Sequence, residues 1–233
     1  MLFRSDVKAI SEMAHKCGAI TVVDGVHYAP HRTIDVARDK IDFFVCSGYK
    51  IFGPHFSMAY CDERLMNSLP SLNHYFLDGV KFELGAQNYE GIAGMKGVFE
   101  YFRALSEQLG IDETKDFSDL FAEISAYEMA LCEQMLKGLQ SIKGVDVYGI
   151  TDPELLNSRV ATFSFNKNGI SPEALSEKIC SNGFSCRFGH MYAARLIEHL
   201  KLKKTGGVVR VSFCHYNTSA EIDRFLNFLE TIH

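Results

Sequence analysis

An α/β fold is predicted by three features of the sequence. Two largely apolar runs at 19–23 and 42–46 have the composition of strands buried on both faces, a helical pattern precedes the first, and strand and helix signals alternate again after residue 144. The 233 residues, 47% of them hydrophobic, suffice for one large domain or one and a half.

Residues 6–17 open with a helix: Val7, Ile10, Met13 and Ala14 share a face, and Gly18 supplies the stop. The first strand run then ends at Asp24-Gly25. After a turn-rich stretch containing Pro30, the second run ends in Ser47-Gly48-Tyr49-Lys50. Helix, strand, crossover and strand suggest a parallel sheet, whose ligands bind beyond the carboxyl ends of the strands. Residues 56–61 read as another strand and 91–109 as a helix. Gly91, Gly94 and Gly97 recur every third residue in that helix, and close packing explains them better than a dinucleotide fingerprint, because no strand precedes them as that motif requires.

A long amphipathic helix is expected over 117–139. Shorter elements follow: strands at 145–148, 160–165 and 207–213 and helices at 172–181 and 220–232, with Thr218 or Ser219 as the last N-cap. The expected organisation is a large-domain portion over 1–115, a connecting helix over 116–143 and a small α/β domain over 144–233.

Composition excludes several functions. Lys and Arg number 24 against 29 Asp and Glu, a net charge of −5, and the densest basic cluster is only Lys201, Lys203 and Lys204; no nucleic-acid partner is expected. No apolar run reaches the ~20 residues of a membrane span, and the first residues, Met-Leu-Phe-Arg-Ser-Asp, lack a signal-peptide core, so a cytoplasmic protein with no membrane partner is expected. The seven cysteines are scattered without a C-x-x-C pair, as suits reduced thiols.

Asp24 and Lys50 are the most informative pair. Placed at the ends of adjacent strands, they form either a salt bridge at the sheet edge or a site in which a partly desolvated lysine acts as a Schiff-base nucleophile. Ser47, Gly48 and Tyr49, just before the lysine, offer two hydroxyls and flexible backbone suited to a phosphate. A different chemistry, a metal-dependent hydrolase, would use Asp24, His27, His31 and His55, although Pro30 argues against a helix that would align His27 with His31.

The runs Val22-Val23-Asp24-Gly25-Val26-His27 and Ser47-Gly48-Tyr49-Lys50-Ile51-Phe52-Gly53-Pro54-His55 resemble the class V aminotransferases, a family of pyridoxal-phosphate enzymes, and most closely its cysteine-desulfurase-like branch. Lys81-Phe82-Glu83-Leu84-Gly85-Ala86-Gln87-Asn88-Tyr89-Glu90-Gly91, Gly206-Gly207-Val208-Val209-Arg210-Val211-Ser212 and His215-Tyr216-Asn217-Thr218 follow in the expected order. The resemblance implies part of an aspartate-aminotransferase-like large domain with a mainly parallel sheet, followed by the small domain. It implies pyridoxal 5'-phosphate as cofactor, a small amino acid as substrate, and a homodimer.

It also assigns roles. Lys50 would be the Schiff-base lysine and proton shuttle, Asp24 the partner of the pyridine nitrogen, and His27 a neighbour of the ring. Ser47 and Tyr49 would hold the phosphate, and Asn88 would lie on a loop near the cofactor. Arg210 would take the substrate α-carboxylate, unless it is a surface arginine on an edge strand, with Arg187 a second candidate.

Three departures qualify the resemblance. Tyr192 stands where desulfurases carry the persulfide cysteine, and neither Cys186 nor Cys214 occupies that position. Ala86 replaces a threonine that contacts the phosphate. The segment that in the family precedes the Asp24 strand, with its phosphate-cradling turn and ring-stacking side chain, has no counterpart here, which implies weaker cofactor binding and an exposed strand edge. A truncated, non-catalytic relative acting through dimerisation is therefore the alternative to an enzyme.

Overall fold

The computed structural model describes residues 5–77, 81–83, 85–112 and 116–232 and forms two compact units, 5–123 and 124–232. The amino-terminal residues 1–4, Leu84 of the 81–91 motif and 113–115, at the expected large-domain boundary, lie outside the described residues.

In the first unit, α1 (Val7–Lys16) is capped by Asp6, whose carboxylate accepts from the Ala9 N–H at 3.0 Å. Strands β1 (Val22–Asp24) and β2 (Phe43–Ser47) run parallel, as the helix–strand–crossover pattern required, with Asp24 opposite Val45. Strand β3 (Ser57–Cys61) adds to β2 in the antiparallel sense, giving the order β1-β2-β3. Phe44 and Cys46 point into a small core with Ala29 and Ile41, against which Val7, Val23 and Met58 pack. Because side chains alternate across a strand, Val22 and Asp24 face the other way. The expectation that β1 is covered on both faces is corrected here: Val22 is 69% exposed and Ile20 is also exposed, because among the described residues only the face of β1 that carries Val23 meets a core.

One buried carboxylate ties these elements together. Asp42 Oδ2 accepts from the Thr21 N–H at 2.8 Å and the Thr21 hydroxyl at 3.0 Å and meets His15 Nε2 at 2.7 Å. Burial disfavours its charge, but these hydrogen bonds outweigh burial and hold Asp42 below the usual carboxylate range.

Helix α2 (Glu63–Ser68) follows β3, and α3 (Tyr89–Leu109) is capped by Asn88. The close-packing explanation holds for two of its three glycines. A Cβ on Gly91 would press on Phe56 at 3.0 Å and one on Gly94 on Pro54 at 2.9 Å, whereas one on Gly97 would enter open space.

The 124–232 unit contains most of α4 (Ser118–Ser141), the helix expected as a connector, which gives Leu131, Cys132, Met135, Leu136 and Leu139 to the core of this unit. Strands β4 (Val145–Tyr148), β5 (Thr162–Lys167), β6 (Arg187–Gly189) and β7 (Val208–Ser212) form an antiparallel sheet in the order β4-β5-β7-β6. Phe163, Phe165, Val209 and Val211 line its inner face against α4, α5 (Pro172–Ser181) and α7 (Ser219–Thr231). Between β6 and β7 lies α6 (Ala194–His199). Thr218 is the N-cap of α7, completing a capping box with Glu221.

Candidate functional site

The outward face of the first sheet carries the residues the sequence singled out. Asp24 ends β1 and Ser47 ends β2, at the same carboxyl edge of two parallel strands. Ser47 leads directly into a single 3₁₀ turn, Gly48–Lys50. Gly48 is required there: its N–H donates to the Phe56 carbonyl at 2.6 Å, and a Cβ would meet Met95 Sδ at 2.8 Å. At the end of β1, a Cβ on Gly25 would run into the Phe44 ring.

The salt-bridge alternative for Asp24 and Lys50 does not form. Among the described residues, Asp24 accepts one hydrogen bond, from the Val26 N–H at 3.0 Å, and Lys50 has no ionic partner. The Lys50 ammonium lies 5.8 Å from the centre of the Tyr49 ring, which packs edge-on against His55 at 4.8 Å. His27 packs edge-on against His31 at 5.7 Å. Just after Lys50, Phe52 has φ +68, a backbone region unfavourable for a bulky side chain; its ring is anchored edge-on to Tyr101 and Phe102.

Among the described residues, no three of Asp24, His27, His31 and His55 gather their ligand atoms as a metal site would need. Asn88 gains a role the sequence did not suggest: its Oδ1 accepts from the Gly91 N–H at 2.8 Å and so caps α3, while the amide NH₂ remains available to another acceptor.

The 124–232 unit carries the arginines. Arg210 lies on β7, an interior strand, so it is not the edge-strand surface arginine considered from sequence. Directly opposite it on β6 is Arg187. Like charges placed across a ladder repel, yet neither guanidinium has an ion-pair partner among the described residues. Burial first, and the Arg187 charge second, hold Arg210 below the usual arginine range. An anion bound between them would relieve both effects.

Sequence reasoning missed the polar row that continues from this pair. The ladder places Tyr148, Ser164, Arg210 and Arg187 side by side across all four strands. Next to that row, Thr162 and Ser212 hydroxyls meet at 3.1 Å, and Asn166 donates to the Gly207 carbonyl at 2.9 Å. The signal was the alternation Thr162-Phe163-Ser164-Phe165-Asn166, in which every second residue turns away from the core.

Tyr192 is fully exposed in a loop where Met191 and Tyr192 both have positive φ, and its N–H donates to His190 Nδ1 at 3.1 Å. The cysteines considered as substitutes are unlike it: burial pushes the Cys214 thiol up to about 11 and the Cys186 thiol up to about 11.

A turn bearing a lysine at the carboxyl ends of two parallel strands stands where open α/β sheets hold ligands. The family model for aminotransferase class V matches residues 3–225, and the chain belongs to that family, whose members use pyridoxal phosphate. It is 35% identical to the aminotransferase-like protein FGM3 of Gibberella zeae over 98% of this chain and 55% of that protein. It is 32% identical to the cysteine desulfurase-like protein ustD of Aspergillus flavus over 97% of this chain and 50% of that protein. Among solved structures, the apo cysteine desulfurase of Thermococcus onnurineus superposes with a TM-score of 0.78 at 26% identity, over 96% of this chain and 55% of that one. The chain thus spans about half the length of these relatives. Among the described residues, no helix is long and apolar enough to cross a membrane.

Proposed function

We propose that this chain supplies the cofactor-anchoring turn and the carboxylate-reading arginines of a pyridoxal-phosphate enzyme acting on a small amino acid. The observation that carries the reading is the Asp24–Lys50 arrangement. A carboxylate and an amine stand at one sheet edge, on neighbouring elements, without neutralising each other or pairing with another described ion. Both charges are exposed, so they stay hydrated and open to a ligand that needs an anion and an amine at the carboxyl ends of neighbouring strands.

The residues present fit the cofactor's polar groups. Asp24 would accept from the protonated pyridine nitrogen, Lys50 would bond to the aldehyde carbon, and Ser47 and Tyr49 would donate hydroxyls to the phosphate. His27 would adjoin the ring, and the Asn88 amide has one donor group left for the same ligand. When bound, the cofactor supplies an electron-accepting ring that stabilises negative charge at the substrate α-carbon. The Lys50 amine would be the base that takes the substrate α-proton and returns it. Arg210 receives the α-carboxylate in a bidentate pair, and Arg187 adds a second positive charge beside it.

No persulfide relay of the usual form operates at position 192, because tyrosine cannot accept sulfur. Cys186 and Cys214 are poor replacements because burial keeps both protonated near neutral pH. The enzyme is read as a cytoplasmic homodimer that performs elimination, racemisation or transamination. Purified protein mixed with pyridoxal phosphate should develop a visible absorbance band that persists through gel filtration. The same band in Lys50→Ala would refute the assignment.

A second reading is favoured by the exposure of Ile10, Met13, Ile20 and Val22. Apolar side chains left open on an edge strand and its neighbouring helix suit a chain that acts through association. Turnover of any amino acid by this chain alone, with added cofactor, would exclude a purely non-catalytic role.

A further inference from the structure

Two cysteines that take no part in the proposed chemistry are held face to face in the 124–232 unit. Cys180 lies in the last turn of α5, and Cys186 immediately precedes β6. The chain between them folds back through Gly183, whose φ of +84 suits glycine, and the Phe184 N–H returns to the Ile179 carbonyl at 3.3 Å. Phe184 is fixed in turn by Phe225 and Phe228 of α7, with ring centres 5.4 and 6.0 Å away. The two sulfurs are left 3.7 Å apart, with the Ser176 hydroxyl 3.2 Å from Cys186 Sγ.

We propose that Cys180 and Cys186 are a redox modification site, a dithiol that a hydroperoxide closes to an intramolecular disulfide. A disulfide bond is about 2.05 Å long, so the sulfurs need to approach by less than about 2 Å, within reach of a side-chain rotation. The two thiols differ in a way that orders the reaction. Cys180 is exposed, and the backbone N–H of Cys186 leads the interactions that lower its pKa, whereas burial pushes the Cys186 thiol up to about 11.

The Cys180 thiolate attacks one peroxide oxygen. An S–O bond forms, the O–O bond breaks, and hydroxide leaves and is protonated to water. Cys186 Sγ then attacks the Cys180 sulfur: the S–S bond forms, the S–O bond breaks, and the departing hydroxide takes the Cys186 proton as a second water. Two thiols and one peroxide give one disulfide and two waters, and both electrons pass to the peroxide. The product ties the α5 terminus to the edge strand β6, which begins at Arg187.

The full chain, treated with hydrogen peroxide at low protein concentration, alkylated and digested, should yield a Cys180–Cys186 cross-linked peptide two hydrogens lighter than its reduced form and restored by dithiothreitol. In the reduced protein, iodoacetamide should label Cys180 at least about ten times faster than Cys186. Cys186→Ser should abolish the cross-link and leave a dimedone-reactive sulfenic acid at Cys180. The proposal fails if, in the wild-type chain, both cysteines stay alkylatable after exposed Cys17 has been oxidised, or if Cys180 proceeds to sulfinic acid without any cross-link to Cys186.

Discussion

In the 124–232 unit, Phe163, Phe165, Leu175, Ile179 and Leu229 are wholly buried in one continuous core, while in the 5–123 unit the described core around β1 and β2 contains four buried residues and leaves Val22 and Ile20 open. The antiparallel sheet has one face packed by three helices and the other set with polar side chains. The β1-β2-β3 sheet also has a cored face, but its opposite face mixes Val22 with Asp24 and Ser47. The first arrangement is a finished protein interior. The second leaves apolar side chains open on the face that carries the proposed cofactor edge.

The comparison predicts unequal responses to losing an apolar side chain. Phe163→Ala, from the wholly buried face of β5, should destabilise the 124–232 unit by about 3–5 kcal/mol, read as faster amide exchange across that unit. Val22→Ala should change stability by no more than about 0.5 kcal/mol. Equal effects at the two sites would erase the distinction between the units.

What holds the first unit should be more polar. Asp42→Asn removes the charge that anchors Thr21 and His15 and should cost about 2–3 kcal/mol, seen as faster exchange in β1 and α1. The pH dependence has a definite sign. The folded-state pKa of Asp42 lies below its unfolded value, so its contribution is fully present above about pH 4 and is lost as the pH falls through the folded value. The 5–123 unit should therefore loosen in acid, and Asp42→Asn should flatten that dependence.

A smaller effect belongs to the finished unit. Thr218→Ala removes half of the α7 capping box and should cost about 1 kcal/mol, measured by denaturant unfolding, with Thr218→Ser close to wild type.

Much of this was legible in the sequence where local chemistry decides structure. The bounds of α5 follow from Ser171, whose hydroxyl accepts from the Ala174 N–H, and from Pro172 in the first turn. Asp6 and Gly18 frame α1 in the same way. The short elements β6, α6 and the 3₁₀ turn Pro153–Ser158 gave no periodic signal, because three to six residues are too few to show one. The direction of β3 and the exposure of β1 depend on which strand lies beside which, information that a buried-strand composition does not contain. At the candidate site, motif order singled out Asp24, Ser47, Lys50 and Arg210. It did not reveal that Arg187 opposes Arg210 across a ladder, which depends on the register of a three-residue strand.

The central claim is that the open sheet edge of the first unit presents Lys50 to an aldehyde cofactor. Incubating the chain with pyridoxal phosphate, reducing with borohydride and mapping the modified peptides tests it directly. The account predicts modification concentrated on Lys50, weakened in Asp24→Ala and absent from that peptide in Lys50→Ala. Modification spread over surface lysines such as Lys201 and Lys204, with Lys50 no more reactive than they are, would contradict it.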